Sequence, residues 1–220
     1  MRRGVAAAVE HEHVAFEHRF ASVIDVGAHH GQFALLAWSR FPQAELFCVE
    51  PLAEAQERLH AVLADHPRLT IFPVAAGQEP ATAEYHVSRL TDSSSLLPIT
   101  VNYTTAFPGT DEATVAYVET ARLDDLFADR TIPQPCLLKL DVQGGELEAL
   151  AGADELLRRV DAVFVECSFV EFYRGQPLIE TVIDHLHSRN YRLRGIYSVV
   201  RDAKGRCLQA DLLFGKRDGG

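Results

Sequence analysis

Asp25, Gly27 and Gly31 are the residues whose spacing first suggests chemistry. The apolar run Ser22-Val23-Ile24-Asp25-Val26 breaks into Gly27-Ala28-His29-His30-Gly31, and a helical pattern begins at Gln32. A strand that runs into glycines lets the backbone approach a ligand at the carboxyl edge of a sheet, where open α/β folds hold cofactors. The spacing is Gly-x-x-x-Gly. It lacks the middle glycine that admits a pyrophosphate in the Gly-x-Gly-x-x-Gly fingerprint. An acid two residues before the first glycine, with bulky His29 and His30 in the turn, suits a cationic amino group better than a phosphate. The cofactor this implies is S-adenosylmethionine, bordered by Asp25, Gly27, Ala28, His29 and Gly31.

Glu50 follows the next apolar run, Leu46-Phe47-Cys48-Val49, and stands 23 residues beyond Gly27. An acid at that distance, followed here by Pro51, can accept hydrogen bonds from both ribose hydroxyls of an adenosine. A third block, Leu137 to Leu150, delivers Lys139 and Asp141 at the end of a buried strand; Gly144-Gly145 turns the chain and Glu146 opens a helix. In a parallel sheet this strand lies beside the first, so Asp141 is expected near the sulfonium. Glu146 would feel the positive end of its helix. Methyl transfer from a sulfonium is an in-line displacement, and a base within reach of the nucleophile contributes ~10²–10⁴ in rate. Asp141 and Glu146 are the expected acidic pair, with His30 as the outside candidate for the base. A helix-capping acid and a strand-end salt bridge to Lys139 would explain the same residues without chemistry.

Other residues carry weaker signals. Ala75 and Ala76, before Gly77, offer small groups to an adenine. Ser93, Ser94 and Ser95 could bind acceptor hydroxyls or order the loop at 89–113. His11, His13 and His18 lack a companion cluster of acids or cysteines and read as a solvated amphipathic segment within residues 1–20. Asp124-Asp125 suits the start of a short helix, and Trp38 suits the core.

These pieces must sit on strands alternating with helices, which implies a mostly parallel, doubly wound sheet. Strands are predicted at 22–26, 46–51, 69–76, 82–88, 115–123, 136–140 and 162–169. Helices are predicted at 31–40, 53–64, 146–160 and 177–189. Tyr191–Val200 and Leu208–Lys216 read as a closing antiparallel hairpin, and residues 89–113 as a long irregular loop of the kind that is often functional. The chain of 220 residues fits one domain. Its net charge of −10 argues against nucleic acid or an anionic membrane as partner. The four cysteines have no C-x-x-C spacing and read as free thiols. No run reaches the length of a membrane span, and a reducing cytoplasm is the expected compartment.

Asp25-Val-Gly-Ala, Glu50-Pro51, Ser93-Ser94-Ser95-Leu96, Thr120-x-Arg122-Leu123-Asp124-Asp125-Leu126 and Lys139-x-Asp141-Val142-x-Gly144-x-Glu146 occur in the order of the FkbM family. The chain resembles that family over roughly residues 20 to 190. The resemblance implies a Rossmann-like class I methyltransferase fold and S-adenosylmethionine as cofactor. It also implies transfer to a hydroxyl oxygen of a sugar, glycolipid or polyketide-type product. The implied partner is thus a small-molecule or glycan acceptor, and a homodimer is compatible with it. The family usually carries Asn in place of His29 and an acid in place of Gln143. Two alternatives stand beside the metal-free reading. In one, His29 or His30 joins Asp141 and Glu166 around a divalent ion. In the other, the chain binds the cofactor without chemistry.

Overall fold

The computed structural model describes residues 5–217. Its main sheet grows from short apolar runs: β1 (Ser22–Val26), β2 (Glu45–Val49), β3 (Leu69–Phe72), β7 (Cys136–Leu140) and β8 (Ala162–Ser168). These five are mutually parallel, and the antiparallel pair β9 (Tyr191–Arg201) and β10 (Cys207–Lys216) completes the order β3-β2-β1-β7-β8-β10-β9. β7 therefore lies beside β1, with Asp25 opposite Lys139 in register.

Side chains alternate between the two faces with the strand period of two. Ile24, Val26, Phe47, Val49, Leu138 and Leu140 face one core with α4 (Leu123–Phe127), α5 (Glu146–Ala151), α6 (Asp154–Arg158) and α7 (Ile179–Ser188). Val23, Leu46, Cys48 and Leu137 face the other, with α1 (Gln32–Arg40) and α2 (Ala53–Val62). Burying a Val, Ile or Leu side chain contributes roughly 1.5–3 kcal/mol, so the central strands fix the platform. By the same alternation Asp25 and Lys139 lie on the α1–α2 side, where apolar neighbours would be expected. The N-terminal stretch packs there too. Val5, Val14 and Phe20 are buried in that core, and Phe16 meets the rings of Phe20, Phe41 and Phe164. One side of the segment thus packs on the core, while His13 and His18 stay exposed, as an amphipathic segment requires.

Several predicted elements differ. The strand expected over 69–76 is interrupted at Pro73, which cannot donate to a ladder. Its second part, β4 (Ala75–Ala76), joins a separate three-stranded sheet with β5 (Ala81–Ser88) and β6 (Glu112–Ala121), in the order β4-β6-β5. The strand expected at 115–123 on the main sheet or its edge thus belongs to that smaller sheet. The loop at 89–113 is partly ordered by a 3-10 turn (Thr91–Ser93) and by α3 (Val101–Ala106). The helix expected over 146–160 divides at Gly152. A Cβ there would stand 2.2 Å from the Gly77 carbonyl oxygen, and the Gly152 carbonyl accepts from Asp124 N–H. Asp124 also caps α6, its Oδ1 accepting from the Glu155 and Leu156 amides at 3.0 and 2.8 Å.

Candidate active site

The carboxyl ends of β1, β2 and β7 meet at one edge of the sheet. Gly27, with φ +78°, turns the chain there, and its N–H and that of Ala28 donate to the Val49 carbonyl at 3.0 and 3.1 Å. A Cβ on Gly27 would stand 1.9 Å from the Asp141 carbonyl oxygen. The glycine is therefore required by the neighbouring strand before any ligand arrives. Gly31 serves a similar end, since its Cβ would stand 2.8 Å from Leu59 on α2.

One cavity opens beside these strand ends. Val49, Pro51, Val74, Ala75, Ala76 and Leu96 give it apolar walls, and Glu50 a carboxylate. Glu50 is only 3% exposed; its Oε2 accepts from His29 N–H at 2.9 Å and its Oε1 from Leu52 N–H at 2.8 Å. Burial pushes its pKa up to about 7, against the pull of those two amides. An apolar slot for a flat base next to a fixed carboxylate for vicinal hydroxyls fits an adenosine.

A second, larger cavity adjoins the first. Gly27, His29, Asp92, Asp141 and Gln143 border both. The larger space is lined further by Glu10 and His11, by Ser93, Tyr103 and Phe107, and by Lys139, Glu166 and Gln209. Lys139 Nζ stands 3.0 Å from Asp25 Oδ1 and 3.6 Å from Asp141 Oδ2, and donates to the Gly27 carbonyl at 3.1 Å. Burial alone would lower its pKa, but the Asp25 and Asp141 carboxylates hold it above the ordinary lysine value, so it stays charged. Gln143 Nε2 donates to Asp141 Oδ1 at 2.7 Å and to Glu166 Oε2 at 3.2 Å. Burial, then the nearby Asp141 and Asp211 charges, push Glu166 well above the carboxylate range. His29 is lowered to about 4 by burial and by the stacked His30, whose ring centroid is 3.7 Å away, so at neutral pH its imidazole is uncharged.

Gly27, Ala28, His29, Glu50, Pro51, Ala75, Ala76, Asp141, Ser93 and Ser94 border one cavity or both. Five others expected at the site do not. Asp25 is 1% exposed and spends its charge on Lys139 beneath the cavity floor. Gly31 packs on α2. Ser95 is fully buried, donating to the Gln143 carbonyl at 2.6 Å and accepting from Leu97 N–H at 2.9 Å. Glu146 is buried, and its Oε1 accepts from the Val142 and Gly144 amides at 3.0 and 3.1 Å. It shapes the turn after β7 rather than flanking an acceptor. His30 does not line either cavity; it faces an adjoining hollow with Leu52, Glu54 and Thr91, and Thr91 also borders the first cavity.

The His-Asp-Glu set of the metal-assisted alternative does not assemble. Among the described residues, no three His, Cys, Asp or Glu side chains form a metal-binding group. His11, read as solvated, instead lies edge-on to Phe33 and Phe164 with Nδ1 3.3 Å from Asp211. Sequence reasoning missed His11, Glu10, Tyr85, Tyr103 and Gln209 as lining residues. Only distant segments converging in space bring them there. Gln143 was visible, as a departure, but its partners were not.

A Rossmann-like sheet with a cavity beside Glu50 at its switch point is an architecture that class I methyltransferases share with other nucleotide-binding proteins. The chain belongs to the FkbM family, since the family model described as the Methyltransferase FkbM domain matches residues 25–193. It is therefore a methyltransferase that uses S-adenosylmethionine. It is 28% identical over 172 residues to a curated protein of Sinorhizobium fredii, 2-O-methyltransferase NoeI, covering 76% of this chain and 71% of that one. It is also 27% identical over 175 residues to the AMB antimetabolite synthetase AmbE of Pseudomonas aeruginosa, covering 66% of this chain and 8% of that much longer one. The fold is shared with methyltransferase FkbM from Methylobacillus flagellatus, at a TM-score of 0.59 and 14% identity, over 93% of this chain and 46% of that one. This chain thus spans less than half the length of that structure. Among the described residues, no helix is long and apolar enough to cross a membrane.

Proposed function

We propose that the protein transfers a methyl group to a hydroxyl oxygen of a sugar or a sugar-bearing or polyketide-type product. The observation that carries this reading is the shared wall. Asp141 borders both the nucleoside-shaped cavity and the larger polar one, and its side chain remains about one-third exposed. S-adenosylmethionine supplies a methyl group on a positively charged sulfur. The chain must do the rest.

Glu50 accepts from the ribose hydroxyls, and Ala75, Ala76 and Leu96 flank the base. Asp141 takes the acceptor's proton as its oxygen becomes a nucleophile, which makes it the expected general base. Lys139 steadies that carboxylate without donating a proton, being held charged. The acceptor cavity mixes hydrogen-bonding groups (Glu10, Asp92, Ser93, Gln209) with the rings of Tyr103 and Phe107. That mixture suits a polyol with an apolar face. The neighbouring 2-O-methyltransferase supports a hydroxyl acceptor and does not identify it.

Calorimetry with S-adenosylhomocysteine tests the first cavity. Turnover on a panel of saccharides and hydroxylated polyketides, read as S-adenosylhomocysteine release, tests the second. Binding without turnover on any hydroxyl acceptor, together with turnover on amines or carbon acids, would overturn the reading. Binding with no turnover on any class would favour a cofactor binder without chemistry.

A further inference from the structure

Gln143 occupies the left-handed region at φ +54°, and Ser95 Oγ holds its carbonyl from behind at 2.6 Å. Its side-chain amide is saturated. Nε2 donates to Asp141 Oδ1 at 2.7 Å and to Glu166 Oε2 at 3.2 Å. Oε1 accepts from Tyr173 at 2.7 Å and from Tyr103 at 3.3 Å. Tyr103 lies on α3, in the segment over the acceptor cavity, and its hydroxyl also donates to Ser93 Oγ at 3.1 Å.

The family usually carries an acid at this position, but the partners assembled in this chain suit an amide. The Asp141 carboxylate takes a donor, the Glu166 carboxyl oxygen takes another beside Gln209 Nε2, and two phenols take an acceptor; a glutamine side chain offers both from one planar group. A carboxylate of the same shape could still accept from the phenols. It would, however, set a third acid against Asp141 and Glu166, and like charges at that distance retain protons. We propose that Gln143 is a positioning residue, whose amide fixes the Asp141 carboxylate at the wall between the cavities and ties it to the tyrosine pair of the acceptor loop. This rests on the reading that Asp141 takes the acceptor's proton.

Two variants separate this role from plain loop anchoring. Gln143→Glu keeps the acceptor for Tyr103 and Tyr173 but loses the donor to Asp141. Gln143→Leu loses both. If Gln143 only anchors the tyrosines, Gln143→Glu turns over like the wild type. If it positions Asp141, kcat of Gln143→Glu falls at neutral pH by about 10²-fold, the lower end for a lost base. KM for S-adenosylmethionine should change far less, and activity should return at alkaline pH as the clustered carboxyls release their shared proton. Wild-type kcat with an unshifted pH profile in Gln143→Glu overturns the proposal. A second readout needs no acceptor. In crystals of Gln143→Leu with S-adenosylhomocysteine, the Asp141 carboxylate should leave the wild-type position, and its retention there overturns the proposal as well. Full turnover by Asp141→Asn would remove the proton-acceptor reading alone, leaving the crystallographic comparison to decide what Gln143 holds.

Discussion

Asp25 and Lys139 stand opposite each other on adjacent parallel strands, with Oδ1 and Nζ 3.0 Å apart and both side chains almost wholly buried. The pair ties the first strand to the seventh directly below the two cavities. Because Lys139 also reaches the Gly27 carbonyl and lies 3.6 Å from Asp141, it joins the glycine turn to the proposed base. Asp25 thus acts on the site through the lysine.

Removing one partner of such a pair leaves an uncompensated buried charge, which typically costs 3–5 kcal/mol. Lys139→Met should therefore lower stability by about that amount, measured by urea unfolding of the cofactor-free protein. A loss under about 1 kcal/mol would mean that Asp25 is protonated and the pair is not ionic.

Gly27→Ala should damage the fold before it damages binding. The added Cβ would meet the Asp141 carbonyl oxygen at 1.9 Å, in a backbone conformation that already disfavours side chains. The melting temperature of the cofactor-free variant should drop by more than the several degrees of an ordinary ~1 kcal/mol substitution. An unchanged melting temperature with lost cofactor binding would restore the glycine to a ligand contact.

The fold was largely legible because β1, β2, β7 and β8 are short apolar runs bounded by turns, and because the Lys139–Glu146 block has a strong local grammar. Glu50 was legible for the same reason, its distance from Gly27 being set by one strand–helix–strand unit. What the sequence hid was direction and depth. Asp25 and Glu146 carry acids at strand and helix ends, as a ligand site would, yet both side chains turn inward to Lys139 and to the amides of Val142 and Gly144. Pro73 marked the split of the third strand, but only the pairing of Ala75 and Ala76 with Thr120 and Ala121 shows a second sheet. His11 and Gln209, near opposite ends of the chain, could not be placed at one cavity from local pattern.

If Glu50 holds the ribose, cofactor affinity should depend on pH. Its buried carboxyl titrates near pH 7, and the ionised form is the better acceptor for ribose hydroxyls. Affinity for S-adenosylhomocysteine should fall as pH drops through about 7, whereas Glu50→Gln should bind more weakly above that pH and show little pH dependence. Glu50→Ala should lose about 1–3 kcal/mol of binding. Equal affinity for wild type and Glu50→Ala by calorimetry would remove Glu50 from the ribose.

Glu146 should reveal itself in stability rather than in turnover. Burial raises its pKa from 4.5 to about 7, against the pull of the backbone amides. Between those values the folded protein holds a proton that the unfolded chain releases, so this group weakens the fold as pH rises from about 4.5 to about 7. Glu146→Gln keeps an oxygen for the Val142 and Gly144 amides and has no proton to lose. Its melting temperature relative to wild type should therefore climb across that window. A difference that stays flat with pH would mean that Glu146 is ionised throughout, as a residue at a solvated site would be.

The base itself is decided by comparing Asp141→Asn with His30→Asn. Asp92 and Asp141 both border the two cavities, and Asp141 is the one held by Gln143 and near Lys139. His30 faces an adjoining hollow and stacks on the ring of His29. Asp141→Asn should cut kcat by roughly 10²–10⁴ with a smaller effect on cofactor affinity, because the amide keeps the shape but accepts no proton. His30→Asn should remain active, with cofactor affinity and melting temperature close to wild type. If His30→Asn is inactive while Asp141→Asn turns over normally, the proton leaves through the glycine turn and the role given to Asp141 is wrong.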